Sequence, residues 1–452
     1  MIRMFDGRVM MAACVLGLMA NAQAIIPNPL VSGGVPAVAG GTNTDYLTDG
    51  YLTNWKSSTA KDIAIKVGEG PTKLRINWES FGDCAWAVDY TAGCGHTGTP
   101  LANFKILTSA NSTNGTDGDW TEAAEIKDNP VMARGVDIDF AGKSWFRFVS
   151  EQDVGQLLEI EAFDMSNGGN DTWFFMGTSI SQMGIKQQDT DSTTAQLIHA
   201  RFPAFTPAML RGGIGCINST EVVAHIDDYL AYAGNVHYWA IEMGTNDAWG
   251  GGDWNLANYV KNMQTIIDSA KAHNIVPVIA RIIATNEAKA NWQINPKFLD
   301  AVDSLVEVNN LPKGPDFYNY FLEHPELIGS DGVHPNGETK GGQAMHHLWA
   351  EALAPLYENS SDDETAGKDS VEKDSVITDP AAIKAPLSLN FKIPRINVEG
   401  RSIKVSNVAA DASVSIVSSM GQVVSGAQLS PGNYMVVIRG QDQSFTAKVT
   451  IK

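Results

Sequence analysis

The feature that most constrains the fold is a stretch from Asp171 to Tyr357 in which short apolar runs alternate with amphipathic segments. The apolar runs cover residues 173–176, 236–243 and 275–280. Segments with helical periodicity lie between them, at residues 221–233 and 256–273, and a last helix is expected from about residue 340. Strands that alternate with helices predict a parallel sheet covered on both faces. We therefore expect a doubly wound α/β domain at residues 171–357.

Four short polar blocks follow one another in this stretch, at predicted strand ends or after the last strand. They are Gly177-Thr178-Ser179, Gly213-Ile214-Gly215, Gly244-Thr245-Asn246-Asp247 and Asp331-Gly332-Val333-His334. Loops at the carboxyl ends of parallel strands gather functional groups at one edge of a sheet. Together the blocks supply a hydroxyl nucleophile, an imidazole base, a carboxylate and amide donors, which are the groups that acyl transfer to water requires.

Each block also has a simpler structural interpretation. Ser179 is a favourable helix N-cap, Asn246 and Asp247 suit a turn or a cap, and the glycines of the second block suit a tight turn. His334 is one of nine histidines. The order of the four blocks along the chain favours the enzymatic interpretation.

In this set of motifs the middle region resembles the SGNH hydrolases, also called GDSL esterases, which have a flavodoxin-like α/β fold. Their first block usually reads Gly-Asp-Ser, so Thr178 is a departure, whereas the third and fourth blocks match fully. The resemblance implies that Ser179 is the nucleophile, that His334 is the base and that Asp331 orients the imidazole. It implies an oxyanion hole made by the backbone N–H of Ser179, a backbone N–H of the second block and the side-chain amide of Asn246. For the second donor we expect Gly215, with Cys216 as the alternative. No metal or cofactor is expected for catalysis.

Two tryptophans follow the expected oxyanion donor on a glycine-rich loop. The loop runs from Ala248 through Trp249 and three glycines to Trp254. Exposed indoles present flat apolar faces on which sugar rings stack. The loop therefore predicts a substrate-binding platform of Trp249 and Trp254, or a loop in which one indole packs underneath.

The region at residues 25–165 reads as short alternating strands separated by Gly, Asn, Asp and Thr, which predicts a β-sandwich of the jelly-roll type. Residues 47–55, 144–149 and 158–164 resemble discoidin (coagulation-factor type C) modules. That resemblance implies carbohydrate binding and a structural calcium ion. Candidates for sugar contacts are the aromatic residues Trp55, Trp86, Tyr90 and Trp120, most of which suit a core position equally well.

The amino terminus predicts export. Arg3 and Arg8 precede an apolar core at residues 9–20, and a small-residue cleavage site ends at Ala24, which is typical of a signal peptide over residues 1–24. We expect the mature protein outside a bacterium or at its outer surface, where disulfides persist. Cys84 and Cys94 flank a short loop that a disulfide would close, although two buried thiols are the alternative, and Cys216 has no evident partner.

The carboxyl-terminal part is expected to contain a linker and a small β-sandwich. Residues 358–386 are rich in Asp, Glu, Ser, Lys and Ala, which predicts a disordered linker. Residues 387–452 return to strand-like runs at 414–417, 434–438 and 447–451. Gly421-Gln422-Val423-Val424, the segment at residues 429–434 and the terminal strand resemble the sorting domains of bacterial type IX secretion. The resemblance implies contact with the secretion machinery or the cell surface, and a further binding module is the alternative.

These expectations combine into one functional hypothesis. It is a secreted serine carbohydrate esterase that removes O-acetyl groups from a plant cell-wall polysaccharide or its oligosaccharides, with acetylxylan as the expected substrate. The alternatives are a general short-chain esterase or lipase, and a noncatalytic glycan-binding protein on a hydrolase scaffold. The formal net charge of −19, from 51 acidic and 32 basic residues, argues against nucleic-acid binding. The sequence leaves the oligomeric state open.

Overall fold

A computed structural model describes most of the chain, namely residues 24–44, 46–50, 61–80, 101–131, 133–150, 157–186, 192–233, 235–335, 340–363, 395–406, 413–418, 423–425, 428–439 and 444–451. Residues 1–23 of the predicted signal peptide lie outside these residues, as do Trp55, Trp86, Tyr90, the expected Cys84–Cys94 pair and residues 364–386 of the expected linker. The chain divides into two compact units, Met1–Asp369 and Ser370–Lys452. Within the described segments, no helix combines the length and apolar character of a membrane span.

The first part of the larger unit is built from antiparallel strands. Its described residues form β1 (Ala37–Ala39), β2 (Thr42–Thr44), β3 (Asp62–Lys66), β4 (Lys73–Ser80), β5 (Phe104–Ser109), β6 (Thr121–Ile126), β7 (Ala133–Asp139), β8 (Trp145–Ser150) and β9 (Leu157–Asp164). One sheet has the order β2-β1-β3-β8-β5-β6 and the other the order β7-β4-β9. Side chains of both sheets form one hydrophobic cluster, in which the rings of Trp78 and Phe104 meet edge to face at 5.0 Å. The runs that the sequence indicated as strands coincide with β3, β4, β5 and β8.

The second part of this unit is the expected α/β domain. Its elements are β10 (Thr172–Gly177), α1 (Ser179–Lys186), α2 (Thr194–Arg201), β11 (Ala208–Gly213), α3 (Ser219–Ala224), α4 (Ile226–Ala233), β12 (Tyr238–Glu242), α5 (Leu256–Ala272), β13 (Val276–Arg281), α6 (Glu287–Ala290), α7 (Pro296–Val308), β14 (Lys313–Asp316), α8 (Phe317–Glu323) and α9 (Gly341–Asp363). The five strands are parallel in the order β11-β10-β12-β13-β14, which confirms the predicted parallel sheet.

Alternate side chains of the central strands pack on opposite faces of this sheet. Phe174 and Trp239 pack with residues of α3, α4, α5 and α7. Trp173 and Tyr238, one residue earlier in each strand, pack with residues of α1, α2, α8 and α9. The period of two along each strand therefore produces two hydrophobic layers, as expected for a sheet with helices on both sides.

The secondary structure differs from the sequence-based expectation in three respects. The edge strands β11 and β14 were not among the apolar runs that the sequence indicated as strands. β14 reads Lys-Gly-Pro-Asp and β11 ends in two glycines, so neither has a long apolar run. The helix expected at residues 221–233 is interrupted at His225 and forms α3 and α4. Helix α9 continues to Asp363, so the prediction that the linker begins at residue 358 is wrong. Two residues of this last part contact distant parts of the chain. Glu358 pairs with Arg201, and Ser360 accepts a hydrogen bond from the N–H of Ile25.

The antiparallel part and the α/β part share buried surface. Val131 and Ala133 belong to the same hydrophobic cluster as Phe174 and Leu210 of the parallel sheet. Arg211 on β11 is buried, pairs with the buried carboxylate of Glu79 on β4, and donates a hydrogen bond of 3.2 Å to the carbonyl of Ser80. The sheet that leads to the second polar block is therefore fixed directly to the antiparallel part.

The smaller unit contains only strands among its described residues, and three of them cover the runs that the sequence indicated at residues 414–417, 434–438 and 447–451. The strands are β15 (Arg395–Glu399), β16 (Ser402–Ser406), β17 (Ser413–Ser418), β18 (Val423–Val424), β19 (Gly432–Arg439) and β20 (Ser444–Ile451). β15 pairs with β16, and a second antiparallel sheet has the order β18-β17-β19-β20. Ile403 of the first sheet and Val436 of the second belong to one small hydrophobic cluster.

Candidate active site

The nucleophile expected from the first block lies where β10 ends and α1 begins. Ser179 is the first residue of α1 and is only partly buried, whereas Thr178 before it is fully buried. A side chain at Gly177 would collide with the hydroxyl of Ser181. The glycine therefore allows the chain to turn directly from the strand into the helix, which leaves the Ser179 hydroxyl at the carboxyl edge of the sheet.

The imidazole of His334 connects Ser179 to Asp331. His334 Nε2 lies 2.8 Å from Ser179 Oγ, and His334 Nδ1 lies 2.7 Å from Asp331 Oδ2. The carboxylate is an acceptor, so Nδ1 carries the proton and Nε2 is left to accept the serine proton. The structure thus brings together the three residues that the first and fourth blocks indicated, across 155 residues of sequence.

The carboxylate of Asp331 is held by its own loop. Burial tends to raise the pKa of Asp331, but hydrogen bonds from the backbone N–H groups of His334 and Val333, and the bond to the imidazole, outweigh this effect and lower it. The two backbone bonds measure 3.0 and 2.9 Å. Asp331 therefore stays charged and keeps a fixed orientation towards His334.

The loop that carries His334 is attached to the segment after β13. Gly332 has a φ of 78°, and its carbonyl accepts a hydrogen bond of 2.8 Å from the N–H of Asn286. The ammonium group of Lys289 donates to the carbonyls of Ile328 and Gly329. These contacts connect the fourth block to residues 286–289, just after the strand next to β12.

The third block supplies an amide donor and a buried carboxylate. The side-chain amide of Asn246 donates one hydrogen bond, 2.7 Å long, to the carbonyl of Ile217, and its second N–H hydrogen is left for another acceptor. Asp247 accepts hydrogen bonds from the hydroxyl of Ser219 at 2.6 Å and from its N–H. Burial raises the pKa of Asp247, and the bonds from Ser219 oppose that rise. The third block is therefore fixed to the start of α3, just after the second block.

The second block forms a turn after β11. Gly215 and Cys216 both lie in this turn, so both backbone N–H groups remain candidates for the oxyanion donor. Cys216 is disulfide-bonded, so the expectation that it has no partner is wrong. The other three cysteines of the chain lie outside the described residues. The expected Cys84–Cys94 bond therefore stays a prediction.

Indole side chains are exposed beside the third block. Trp249 is 51% exposed and Trp254 is 74% exposed. The ring of Trp292, which was not predicted, lies 5.1 Å from that of Trp249 at an angle of 51°. Trp292 follows the segment that contacts the His334 loop, so the Trp249–Trp292 pair lies on chain segments adjoining both the third and fourth blocks. In the antiparallel part, the guanidinium of Arg147 lies 5.4 Å from the ring of Trp120 and occupies one face of this candidate.

A buried carboxyl that was not predicted lies behind Ser179. Glu242, the last residue of β12, is fully buried and accepts hydrogen bonds from Thr178 and Ser181. Burial raises the pKa of Glu242 to about 7, although these hydrogen bonds oppose the rise. The only sequence signal is an acidic residue at the end of a strongly apolar run, which does not show what the side chain contacts.

A calcium site is not found among the described residues. No group of three or more His, Cys, Asp or Glu side chains there is arranged to hold a metal ion. Buried glutamates do occur on β4 and β9, but the carboxylate of Glu79 is taken by Arg211. The calcium ion that the discoidin resemblance implies therefore stays a prediction.

The chain is similar to several solved structures, but at low sequence identity and low TM-score. No protein-family model and no curated protein sequence matches the chain. A lipase/acylhydrolase from Enterococcus faecalis is 15% identical with a TM-score of 0.34, over 41% of this chain and 95% of that chain. A variant of an acetyl xylan esterase from Geobacillus stearothermophilus is 17% identical with a TM-score of 0.32, over 41% and 94%. Protein YxiM from Bacillus subtilis is 13% identical with a TM-score of 0.37, over 65% and 80%. Similarities at this level do not decide the family of the chain.

Proposed function

We propose that the protein is a serine ester hydrolase of the SGNH type that removes acetyl groups from a plant cell-wall polysaccharide. The observation that carries the proposal is the pair of hydrogen bonds that joins Ser179, His334 and Asp331 at 2.8 and 2.7 Å. A hydroxyl, an imidazole and a carboxylate in this order are the arrangement that activates a serine for attack on a carbonyl carbon.

The reaction follows from this geometry. His334 Nε2 takes the hydroxyl proton as Ser179 Oγ attacks the ester carbonyl, and Asp331 stabilises the imidazolium that forms. The carbonyl oxygen becomes an oxyanion, which accepts hydrogen bonds from the backbone N–H of Ser179, from the turn at residues 215–216 and from the free N–H of Asn246. His334 then gives its proton to the departing sugar oxygen, leaving acetyl-Ser179. Water, deprotonated by His334, attacks this ester and releases acetate.

A carbohydrate substrate is supported by the exposed indoles. The Trp249–Trp292 pair and Trp254 offer flat apolar surfaces on the loops that leave β12 and β13. A sugar chain lying on this surface would place an acetylated hydroxyl within reach of Ser179. Acetylated xylan is the substrate that we propose. Export by the amino-terminal signal, targeting by the carboxyl-terminal strands and a structural calcium ion belong to the same proposal.

Replacement of the nucleophile tests the reaction. Ser179→Ala is expected to lower kcat for acetate release by at least about a thousandfold, because the remaining groups cannot form the acyl-enzyme. The melting temperature should change little, since Ser179 is only partly buried. Acetate release from acetylated xylan, mannan and pectin, and hydrolysis of aryl esters of increasing acyl length, are measured for both proteins.

Each alternative has its own outcome in this experiment. Retained activity in Ser179→Ala contradicts the nucleophile assignment. Faster turnover of long acyl chains than of acetyl esters favours a lipase. A wild-type protein that binds glycan, hydrolyses no ester and is not labelled by a fluorophosphonate at Ser179 would be a noncatalytic binding protein.

The indole platform has a separate test. Trp249→Ala is expected to raise KM for acetylated polysaccharide by about three- to tenfold, because one aromatic contact contributes roughly 0.5–1.5 kcal/mol. KM for a small aryl acetate should change less, since that substrate has only one ring to place on the indoles. Val308→Ala, which truncates an exposed apolar side chain on α7, is the matched control. Equal effects of Trp249→Ala on both substrates would contradict the platform.

A further inference from the structure

The turn that carries Ser179 is bound from beneath by one carboxylate oxygen. Oε2 of Glu242 accepts hydrogen bonds from the N–H of Thr178 at 3.2 Å and from its hydroxyl at 3.0 Å. The hydroxyl of Ser181 donates to the same oxygen at 3.2 Å. Glu242 therefore holds the residues on both sides of the nucleophile and is separate from the Ser179–His334–Asp331 hydrogen bonds.

The burial of Glu242 is unfavourable for the stability of the fold. The side chain is fully buried, and its Oε1 has no hydrogen-bond partner among the described residues. A buried carboxyl with one unpaired oxygen is unfavourable because the water that solvated it is not fully replaced. Strand pairing places Glu242 directly opposite Gly177, the residue that begins the turn. A hydrophobic residue at this strand position would destabilise the fold less. We therefore expect the carboxyl to contribute to the candidate site.

Glu242 is connected to two parts of the candidate site, by hydrogen bonds to the turn of Ser179 and by the chain itself to the third block. Thr178 Oγ1 donates to Glu242 and accepts a hydrogen bond of 3.2 Å from the N–H of Ile180, so the hydroxyl fixes the backbone on either side of Ser179. In the other direction, β12 ends at Glu242 and the chain reaches Asn246 four residues later. One side chain thus links the turn of the nucleophile to the strand that leads to the amide donor.

We propose that Glu242 is a positioning residue that holds the Ser179 hydroxyl in line with His334, and that Thr178 and Glu242 are a matched pair. In this pair the turn supplies the hydroxyl and the neighbouring strand supplies the carboxyl. The inference rests on the proposed function of Ser179. A carboxyl at position 178 with an uncharged donor at position 242 should therefore be tolerated better than a carboxyl at both positions.

The first test removes the charge or the hydroxyl. Glu242→Gln keeps the shape but replaces the carboxylate by a weaker acceptor, so kcat for a small aryl acetate should fall by about tenfold with KM within about twofold. Thr178→Val should act in the same way, whereas Thr178→Ser, which keeps the hydroxyl, should retain most of the activity. If Glu242→Gln does not fold, the contrast between the valine and serine variants carries the test.

The second test moves the carboxyl from the strand to the turn and places an uncharged donor at position 242. Thr178→Asp alone places two carboxyls in buried contact, which cannot both ionise, and should lower kcat by more than tenfold. Adding Glu242→Gln leaves one carboxyl in the pair, with the glutamine amide as its donor, and should restore kcat at least about tenfold over Thr178→Asp. Residues in contact couple even when their role is merely structural, so the recovery must appear in the rate of fluorophosphonate labelling of Ser179 and not only in the melting temperature.

The readout separates this inference from the proposed function. The rate at which a fluorophosphonate labels Ser179 reports the reactivity of the hydroxyl without any carbohydrate, and circular dichroism shows that each variant is folded at the assay temperature. Unchanged labelling and kcat in Glu242→Gln and Thr178→Val, or no recovery in the double variant, overturns the inference while the wild-type activity stands. A wild type that is neither labelled nor active overturns both proposals.

Discussion

At the scale of single residues, Cys216 combines two features that concern the oxyanion turn. It has a φ of 64°, in the left-handed region that non-glycine residues rarely adopt, and it is disulfide-bonded. This backbone conformation costs a non-glycine residue about 1–3 kcal/mol, and it persists only where the surrounding structure holds it. We infer that the disulfide keeps the turn at residues 215–216 in the shape that directs its N–H groups towards the site.

Replacement of Cys216 by two different residues separates strain from the covalent bond. Cys216→Ser loses the disulfide and keeps the strain, whereas Cys216→Gly loses the disulfide and relieves the strain. The melting temperature and kcat should therefore fall in both variants and fall further in the serine variant. Thermal unfolding and aryl acetate hydrolysis measure these effects, with reduced and alkylated wild type as the control. An equal melting temperature of the wild type before and after reduction would contradict the inference.

The residues of the site differ in how far the sequence reveals them. Ser179, Asn246, Asp331 and His334 were predictable because each follows an apolar run or closes the series of blocks, and parallel strands bring such positions to one edge. Glu242 was not, because its contact with Thr178 spans 64 residues and depends on β10 and β12 being neighbours in the sheet. Trp292 was missed for the same reason, because only its contact with Trp249 makes it a candidate for substrate binding.

At the scale of elements, the strand pair β4–β9 brings carboxyls together inside the antiparallel part. Glu79 and Glu159 face each other in the register of this pair, and both are buried. Burial, followed by repulsion from Glu161 and Asp49, raises the pKa of Glu159 from 4.5 to about 10. Burial and the nearby Glu79 raise the pKa of Glu161 to about 8. The folded protein therefore binds protons here that the unfolded chain releases.

The consequence is a loss of stability as the pH rises. Because the pKa of Glu159 is higher in the folded state, its contribution is fully present below about pH 4.5 and is lost progressively up to about pH 10. Glu159→Gln cannot ionise, so its melting temperature should equal that of the wild type near pH 5 and exceed it at pH 9. Thermal unfolding across this range is the measurement, and Glu69→Gln at an exposed position is the control. A wild type that is equally stable at pH 5 and pH 9 would contradict the assignment.

The elements themselves were predictable where the pattern was strong. The central strands β10, β12 and β13 carry long apolar runs and were recognised, whereas the edge strands β11 and β14 face fewer neighbours and need fewer apolar residues. The end of α9 was misplaced because the polar composition at residues 358–363 indicated a linker. Contacts of Glu358 and Ser360 with distant parts of the chain extend the helix there, and composition alone does not reveal such contacts.

At the scale of the whole molecule, the antiparallel part is a structural part of the α/β domain rather than a separable module. Asn28 donates a hydrogen bond of 2.8 Å to the carbonyl of Asp171, directly before β10, and Val131 and Ala133 fill the cluster beneath the parallel sheet. The buried pair of Arg211 and Glu79 lies between the two parts. Removing one partner of a buried ion pair costs roughly 3–5 kcal/mol, which is a large share of the 5–15 kcal/mol that stabilises a typical domain.

Truncation tests this dependence and distinguishes the two units of the chain. A fragment with residues 25–369, which keeps the first unit after the predicted signal peptide, should fold cooperatively and hydrolyse aryl acetate with the kcat of the full chain. A fragment with residues 166–369, which retains every block of the candidate site, should be unstable because Arg211 loses Glu79 and the cluster around Phe174 is opened to water.

The buried ion pair gives a finer form of the same experiment in the intact protein. Glu79→Leu alone leaves the guanidinium of Arg211 buried without its partner and should lower the free energy of unfolding by several kcal/mol, whereas adding Arg211→Met should recover most of that loss. Urea unfolding measures both effects. Because Arg211 lies on the strand that leads to the turn at residues 215–216, kcat should follow stability across this series. A fully active, cooperatively folding fragment 166–369 would show instead that the antiparallel part is a detachable module.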